Sequence, residues 1–527
     1  MTNAAGDRAA QQNLARQRVV VSAAEMQAIE ARLFEAGMPV AALMEKVSGR
    51  IAAWIVAQYP LAKRVLVLAG PGHNGGDALS VARELYHQGY CVSVCSPIAQ
   101  QKALTAQHDR YLKALGVPSV AAGQVAHQSP DQIPDLILDG LFGFGLSRPI
   151  AGDLAQLVRD VNALGAPVVS IDLPSGIHTD SGEALGEAIR ATQTLCLGLW
   201  KRACLQDQAL AYMGQATLID FDIPTRDIEA VLGELRLIRI TPPDVAEALP
   251  LRRSPTTYKY REGHLLLVCG SASYLGAALL TGLAARASGV GMLAIAVPQA
   301  LKPLLAAQIP DAVTLGCPTE AGAIAAFPED VDLGRYDAIA CGPGLTPRAG
   351  ILPQILSARV PLLLDADGLN LVAQIGTQTA LEQREAYTLL TPHAGEFERL
   401  FPCGKEPLTT KPDRITQAQQ AAHQSGATVL LKGARAIIAS PDGKTWINPD
   451  STPALARGGS GDVLTGLIGG LMAQAAARQE PVESAAWSGA WWHAQTAIEL
   501  AQARGVLGVD AHTLAAHLAT CLARRLW

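Results

Sequence analysis

The chain reads as an α/β protein made of two doubly wound, three-layer domains. Short apolar runs alternate with helical stretches through its first half, the pattern of a mostly parallel sheet covered by helices on both faces. The alternation lapses in a proline-rich, charged stretch and then restarts. At 527 residues, with 49% hydrophobic and 17% charged residues, the chain is too long for one ordinary domain and apolar enough to bury two cores. The expected division is 1–225 for the first domain, 226–254 for a linker and 255–527 for the second.

In chain order, residues 22–60 read as helical, with Ser22 as N-cap and Glu25 completing a capping box. Strands follow at 64–69, 91–95, 135–139, 168–172 and 194–198, with a helix over 77–88 after a Gly-rich turn. The linker carries Pro242, Pro243, Pro250 and the pair Arg252-Arg253. Beyond it, strands are expected at 264–269, 292–297, 337–341, 361–365, 387–391, 428–432 and 436–439, and a helix over 276–288. The halves share no register, so they are not a repeat.

Several classes are excluded. A net charge of −5 without a basic arm argues against nucleic-acid binding. Residues 263–285 carry no formal charge, but Gly270, Ser271, Ser273 and Gly276 interrupt them. They read as strand, loop and buried helix rather than a membrane span. Residues 1–18, rich in Ala, Gln and Arg, read as a frayed lead-in without a secretory core. The nine cysteines are scattered, Cys91 and Cys95 being nearest, which fits a reduced, cytoplasmic protein with buried thiols. Small residues along 276–288 suit close helix packing, within the core or across subunits; a homo-oligomer is the expectation.

The most informative run is Arg457-Gly458-Gly459-Ser460-Gly461-Asp462, which leads into an apolar helical pattern. Free N–H groups and the dipole at such a helix start attract anionic oxygens. An acid there can act as base on a hydroxyl beside a bound phosphate. Four further polar clusters close apolar runs in the same half: Gly342-Pro343-Gly344, Asp365-Ala366-Asp367, Thr391-Pro392-His393 and Lys432-Gly433-Ala434-Arg435-Ala436. Each has a bland reading as turn or solvated loop; five in order point to one crevice.

The first half has its own constellation. Gly70-Pro71-Gly72-His73-Asn74-Gly75 fits the Gly-x-Gly-x-x-Gly of a dinucleotide turn, but the next strand ends in Cys95-Ser96-Pro97 with no acid for a ribose. Ordinary NAD-dependent hydride transfer is therefore poorly supported. Asp139 and Asp172 end later strands; they either cap loops or line a ligand crevice, where Asn74, Asp139 and Ser175 could converge as oxygen ligands for a hard cation.

Asn74-Gly75-Gly76-Asp77, Asp139-Gly140-Leu141-Phe142-Gly143-Phe144-Gly145 and Asp172-Leu173-Pro174-Ser175-Gly176 together resemble the epimerase domain of NAD(P)HX repair enzymes. That domain interconverts the R and S forms of nicotinamide cofactors hydrated at C6. The resemblance implies a Rossmann-like fold and a substrate cradle formed by His73, Asn74, Gly75, Gly76 and Asp77 with Gly143, Phe144, Gly145, Leu146, Ser147, Arg148 and Pro149. It also implies K⁺ at Asn74, Asp139 and Ser175, substrate contact by Asp172, and Asp172 with Lys201 as acid–base candidates. His73 and Ala78 stand where the family has Asn and Gly.

The second half resembles the ribokinase-like dehydratase usually joined to that epimerase. By this resemblance Lys432, Gly433, Ala434, Arg435 and Ala436, with Gly458, Gly459, Ser460 and Gly461, hold the nucleotide. Ala277, Gly344 and His393 contact the hydrated cofactor, and Asp462 takes the proton of its C6 hydroxyl. His493 and Asp510 occupy familial tail positions. The implied substrates are NADHX and NADPHX, repaired at the expense of ADP rather than ATP, with Mg²⁺. The alternative is a ribokinase-like small-molecule kinase with an accessory nucleotide-binding domain. A third class is a binding protein whose first domain has lost catalysis.

Overall fold

The computed structural model describes residues 12–60, 62–127, 133–402 and 412–526. It divides into two compact units, Met1–Leu237 and Ile238–Trp527. The lead-in expected over 1–18 lies partly outside the described residues. Residues 12–17 are helical, and Arg16 is buried with its guanidinium 2.7 Å from Asp220, so this part is tied down rather than frayed.

In the first unit the expected helix 22–60 is two helices, α1 (Ala23–Glu35) and α2 (Val40–Gln58). The Ser22–Glu25 capping box starts α1 as expected. Gly37, at φ 98°, and Pro39, the N-cap of α2, break the run between them. The next elements are β1 (Arg64–Ala69), α3 (His73–His87), β2 (Cys91–Cys95), β3 (Leu136–Gly140), α4 (Gly152–Ala163), β4 (Val168–Ile171), β5 (Gln193–Leu197) and β6 (Gln215–Ile219). The strands form one parallel sheet in the order β2-β1-β3-β4-β5-β6. Val65, Val67 and Ala69 join the core beneath α1, α2 and α3, while Leu66 and Leu68 join the core beneath α4. Alternate residues of one strand thus fill both faces, which makes the three layers.

The sequence placed His73–Gly76 in a turn; instead they form the first turn of α3. A Cβ on Gly75 would stand 1.9 Å from the Gly70 carbonyl oxygen, so only glycine lets the helix begin this close to the strand end. Ala78 needs no special backbone, because it lies inside α3 with its methyl against Gly140, where a second Cβ would stand 2.4 Å away.

The expected linker is structured. It carries helices Thr225–Leu232 and Pro242–Ala248 and the strand β7 (Leu237–Arg239). The second unit continues with β8 (His264–Val268), α5 (Leu275–Ala287), β9 (Met292–Pro298), β10 (Val313–Cys317), β11 (Ala338–Cys341), β12 (Leu362–Leu364), β13 (Thr388–Leu390), β14 (Thr428–Leu431), β15 (Ile437–Ala439), β16 (Thr445–Ile447), α6 (Ser460–Ala477) and α7 (Ser484–Arg504). Its ten-stranded sheet runs β10-β9-β8-β11-β12-β13-β14-β15-β16-β7. It is parallel from β10 to β14, and β15 and β16 turn back antiparallel. The small residues of α5 serve the core: a Cβ on Gly466 of α6 would meet the Thr281 carbonyl oxygen at 2.0 Å, so α5 and α6 touch backbone to backbone. No helix among the described residues is long and apolar enough to cross a membrane. Of the described cysteines Cys91 is exposed and the others are buried; Cys403 lies outside the described residues.

Candidate active sites

Among the parallel strands of each sheet the order reverses once, between β1 and β3 in the first unit and between β8 and β11 in the second. Loops leaving such strands diverge and open a crevice at the carboxyl ends. Both sets of candidate residues sit there.

The first crevice is a cavity of about 370 Å³. His73, Asn74 and Asp77 of α3 line it, as do Gly143, Phe144, Gly145, Leu146, Asp172 and Lys201. Gly75 and Gly76 lie behind the wall, and Ser147, Arg148 and Pro149 are exposed beyond it. At its floor the Lys201 ammonium, fully buried, lies 2.6 Å from Asp172 Oδ1 and donates to the Leu197 carbonyl oxygen at 2.5 Å. The same carboxylate accepts from the Phe144 N–H at 2.9 Å and the Leu197 N–H at 3.3 Å. Asp172 holds a left-handed backbone, φ 69°, a strain that the surrounding contacts must sustain. Burial pulls the Lys201 ammonium down, but Asp172, with Cys196 and Glu30, together outweigh it and the net shift is upward. The solvated-loop reading of Lys201 is thereby excluded. Burial raises Asp77 well above the usual carboxylate range, with Asp172 and Glu30 adding to it. Burial and then Lys102 lower His73.

Asp139 and Ser175 meet next to this floor. Asp139 accepts from the Ser175 hydroxyl (2.6 Å) and amide (2.9 Å), the Ser170 hydroxyl (2.8 Å) and the Leu141 amide (3.2 Å). Burial still raises it on balance. Asn74 Nδ2 is buried with no hydrogen-bond partner. An orphaned amide in the cavity wall, and a buried carboxylate and hydroxyl at the Phe142 carbonyl, are groups that suit a hard cation held by oxygen, once the Asn74 amide is turned.

Glu30 of α1 also lines the cavity, and no motif pointed to it. The available signal was its position: it follows the buried Ile29 and precedes the cavity residue Phe34 by one helical turn.

In the second crevice, α6 begins at Ser460 with no side chain capping it, after Gly459 at φ 88°. The Ser460 N–H is engaged by the Arg457 carbonyl at 3.3 Å. His493 of α7 holds this turn from behind, its Nε2 3.0 Å from the Ser460 carbonyl oxygen; burial lowers its pKa to about 4, so it is a neutral donor. Lys432 is no solvated charge: its Nζ lies 2.5 Å from Asp365 Oδ1, and Thr465 of α6 donates to Asp365 Oδ2 at 2.7 Å. The Lys432 ammonium would stand 3.5 Å from a Cβ on Gly461, beside the anion-attracting turn. Burial raises Asp462 to about 7, the Asp365 charge adding and Lys432 opposing.

Asp367 braces the crevice by accepting from the Thr346 N–H at 2.9 Å. Gly433, Ala434, Arg435 and Ala436 form the turn from β14 to β15, where Arg414 donates to the carbonyls of Lys432 (2.9 Å) and Arg435 (3.2 Å). Ala277 and Gly344 face each other, a Cβ on Gly344 standing 2.9 Å from that of Ala277. His393 caps the helix Ala394–Leu400, its Nδ1 accepting from Gly395 and Glu396, with the side chain 57% exposed. Asp510 accepts from the Thr513 amide at 2.9 Å and hydroxyl at 2.7 Å, a capping role at the start of the helix Ala511–Leu526, whose Ala511 lies against Gly459 of the turn. Gly342, at φ 135°, has no room for a side chain, since a Cβ would stand 1.7 Å from the Asp365 carbonyl oxygen. Gly342→Ala is expected to displace Asp365 and destabilise the second unit by about 1–3 kcal/mol, read as a lowered midpoint in denaturant.

Fold and sites define a two-domain α/β enzyme, with a cavity lined by buried ionisable groups in one domain and a glycine-rich turn ending in a carboxylate at a crevice of the other. Residues 40–203 match the family described as YjeF-related protein N-terminus, and residues 265–520 the family described as NAD(P)H-hydrate dehydratase. The bifunctional NAD(P)H-hydrate repair enzyme Nnr of Thermosynechococcus vestitus is 51% identical over 511 residues, covering 96% of this chain and 98% of that protein. The Synechocystis protein of the same name is 52% identical over 507 residues, covering 95% and 94%. Among solved structures, an ADP/ATP-dependent NAD(P)H-hydrate dehydratase from Bacillus subtilis is 33% identical, covers 54% of this chain and 97% of its own, and has a TM-score of 0.46. The chain belongs to the family of bifunctional NAD(P)H-hydrate repair enzymes, which join an epimerase domain to a dehydratase domain.

Proposed function

We propose that the first cavity epimerises R- and S-NADHX and -NADPHX, and that the second crevice dehydrates the S form at the expense of ADP, giving AMP and phosphate. The observation that carries the second part is Asp462, a carboxylate raised to about 7, in the first turn of an uncapped helix beside the Lys432–Asp365 pair. Hydroxide is a poor leaving group, so elimination of water from C6 needs the oxygen activated. Asp462 removes the hydroxyl proton as that oxygen attacks the terminal phosphoryl group. The free amides of the glycine turn and the Lys432 ammonium stabilise the charge on the group in transfer. Phosphate then leaves with the C6–O electrons, and loss of a C5 proton restores the double bond. His493 keeps the turn in register. Ala277, Gly344 and His393 shape the side that receives the hydrated ring.

No cluster of His, Cys, Asp or Glu among the described residues is grouped for a metal ion, so Mg²⁺ would enter on the nucleotide's phosphate oxygens. In the first cavity, Asn74, Asp139 and Ser175 would hold K⁺, whose charge would anchor an anionic part of the substrate. His73, Asn74, Asp77, the 143–146 loop and Asp172 would surround that substrate.

The direct test is recovery of the reduced-nicotinamide absorbance from S-NADHX with Mg²⁺, K⁺ and either ADP, ATP or neither. Recovery with ADP alone supports the dehydratase reading and its phosphoryl donor; recovery without nucleotide overturns the phosphoryl route. The pH dependence has a definite sign. Asp462 works ionised, and its raised pKa leaves it protonated in mild acid. Dehydration kcat/KM should climb about tenfold per pH unit below about 7 and level off above it. An unperturbed carboxylate would give a flat profile there.

A further inference from the structure

We propose that Glu30 is the proton-exchanging group of the first cavity, acting on the C6 hydroxyl of the hydrated nicotinamide from the helical wall while Asp172 and Lys201 act from the sheet wall. The proposal rests on the epimerase reading of that cavity. Inverting C6 breaks and remakes one C–O bond. The hydroxyl takes a proton and leaves as water while the ring nitrogen's lone pair closes the C6=N1 bond. Water then adds to the opposite face and gives a proton back. Nothing is oxidised or reduced, and the proton lent in the first step is returned in the second. The cavity therefore needs a group that both gives and takes a proton near neutral pH.

Asp172 and Lys201 do not supply it together. Their ion pair is closed and buried, the carboxylate holds two backbone donors besides, and the ammonium is held protonated. Glu30 differs on each count. It lines the same cavity, and its carboxyl has no hydrogen-bond or ion-pair partner among the described residues. Burial raises it to about 7, Lys201 opposing and Asp172 adding, with Lys102 a further opposing charge. Asp77 and His73 are the other titratable groups on the wall, and Val40, Leu43, Met44 and Val47 of α2 face it with apolar surface. Protonated Glu30 can give its proton to the leaving hydroxyl; ionised, it can recover one from the entering water.

The test follows R-to-S conversion of NADHX by the full chain with K⁺ and no nucleotide, as a function of pH. Glu30→Gln should lower kcat by ~10²-fold, leave KM within about threefold, and remove the near-neutral limb of the kcat/KM profile. Glu30→Asp should recover part of the rate with that limb displaced, and Glu35→Gln, an exposed acid on the same helix, should behave as the unaltered chain. A Glu30→Gln protein that epimerises at the unaltered rate with the limb intact overturns the proposal. Should Glu30→Gln unfold, Glu30→Asp decides, and an undisplaced limb overturns it. An unaltered chain that fails to epimerise overturns the epimerase reading and this proposal with it, an outcome seen before any variant is made.

Discussion

Asp462→Asn is expected to lower nucleotide-dependent dehydration of S-NADHX by ~10²–10⁴-fold, the usual worth of a positioned general base, while R-to-S conversion continues at the unaltered rate. The amide keeps the size and part of the hydrogen bonding of the carboxylate, but it cannot accept the hydroxyl proton. Asp462 contributes to the second crevice only, whereas the residues around the first cavity come from the first unit. Two assays on one preparation check this: recovery of reduced-nicotinamide absorbance, and the ratio of the isomers. Loss of both activities in a folded variant would show that the two sites do not divide the work.

The second large effect belongs to the Asp172–Lys201 pair. Asp172→Asn leaves a fully buried ammonium without the carboxylate 2.6 Å away that it pairs with. Breaking one partner out of a buried pair costs about 3–5 kcal/mol, so the unfolding midpoint of the first unit should fall sharply and epimerisation should vanish. Lys201→Met should do the same from the other side. Combining the two changes removes both charges, and most of the stability should return while epimerisation stays lost. Chemical denaturation of the three variants, with isomer conversion measured alongside, separates the pair's structural part from its chemical part. Equal midpoints for single and double variants would mean that the ammonium finds another partner.

How much of this was legible in the residues depends on what each signal was. Strands such as Arg64–Ala69 fell where apolar runs placed them, because a strand buried on both faces announces itself by continuous hydrophobicity. β6, β7, β10 and β16 were missed. They are short or edge strands with mixed composition, made strands by their neighbours rather than by their own pattern. His73–Gly76 read as a turn because glycine is a poor helix former; the close approach of Gly75 to Gly70 overrides that preference. Glycine-rich turns and strand-end acids gave most of the site residues. The partners of Lys432 and Lys201 were beyond the sequence, since Asp365 and Asp172 reach them only through the order of strands in the sheet. Glu30 had no motif around it, and one acid on an amphipathic helix carries no sign of the cavity it borders.

β7 has a practical consequence for anyone wishing to separate the two activities. It closes one margin of the second sheet, with the Ile240 N–H donating to the Ile447 carbonyl oxygen at 3.0 Å. Cutting the chain at the end of the proline-rich stretch would strip this strand away and leave β16 with a row of unpaired backbone groups, an open template for strand pairing between molecules. A dehydratase half that begins before Leu237 should stay monodisperse at concentrations where one that begins at 255 clumps. The stretch that reads as a spacer is the hem that keeps the second sheet from fraying into its neighbours.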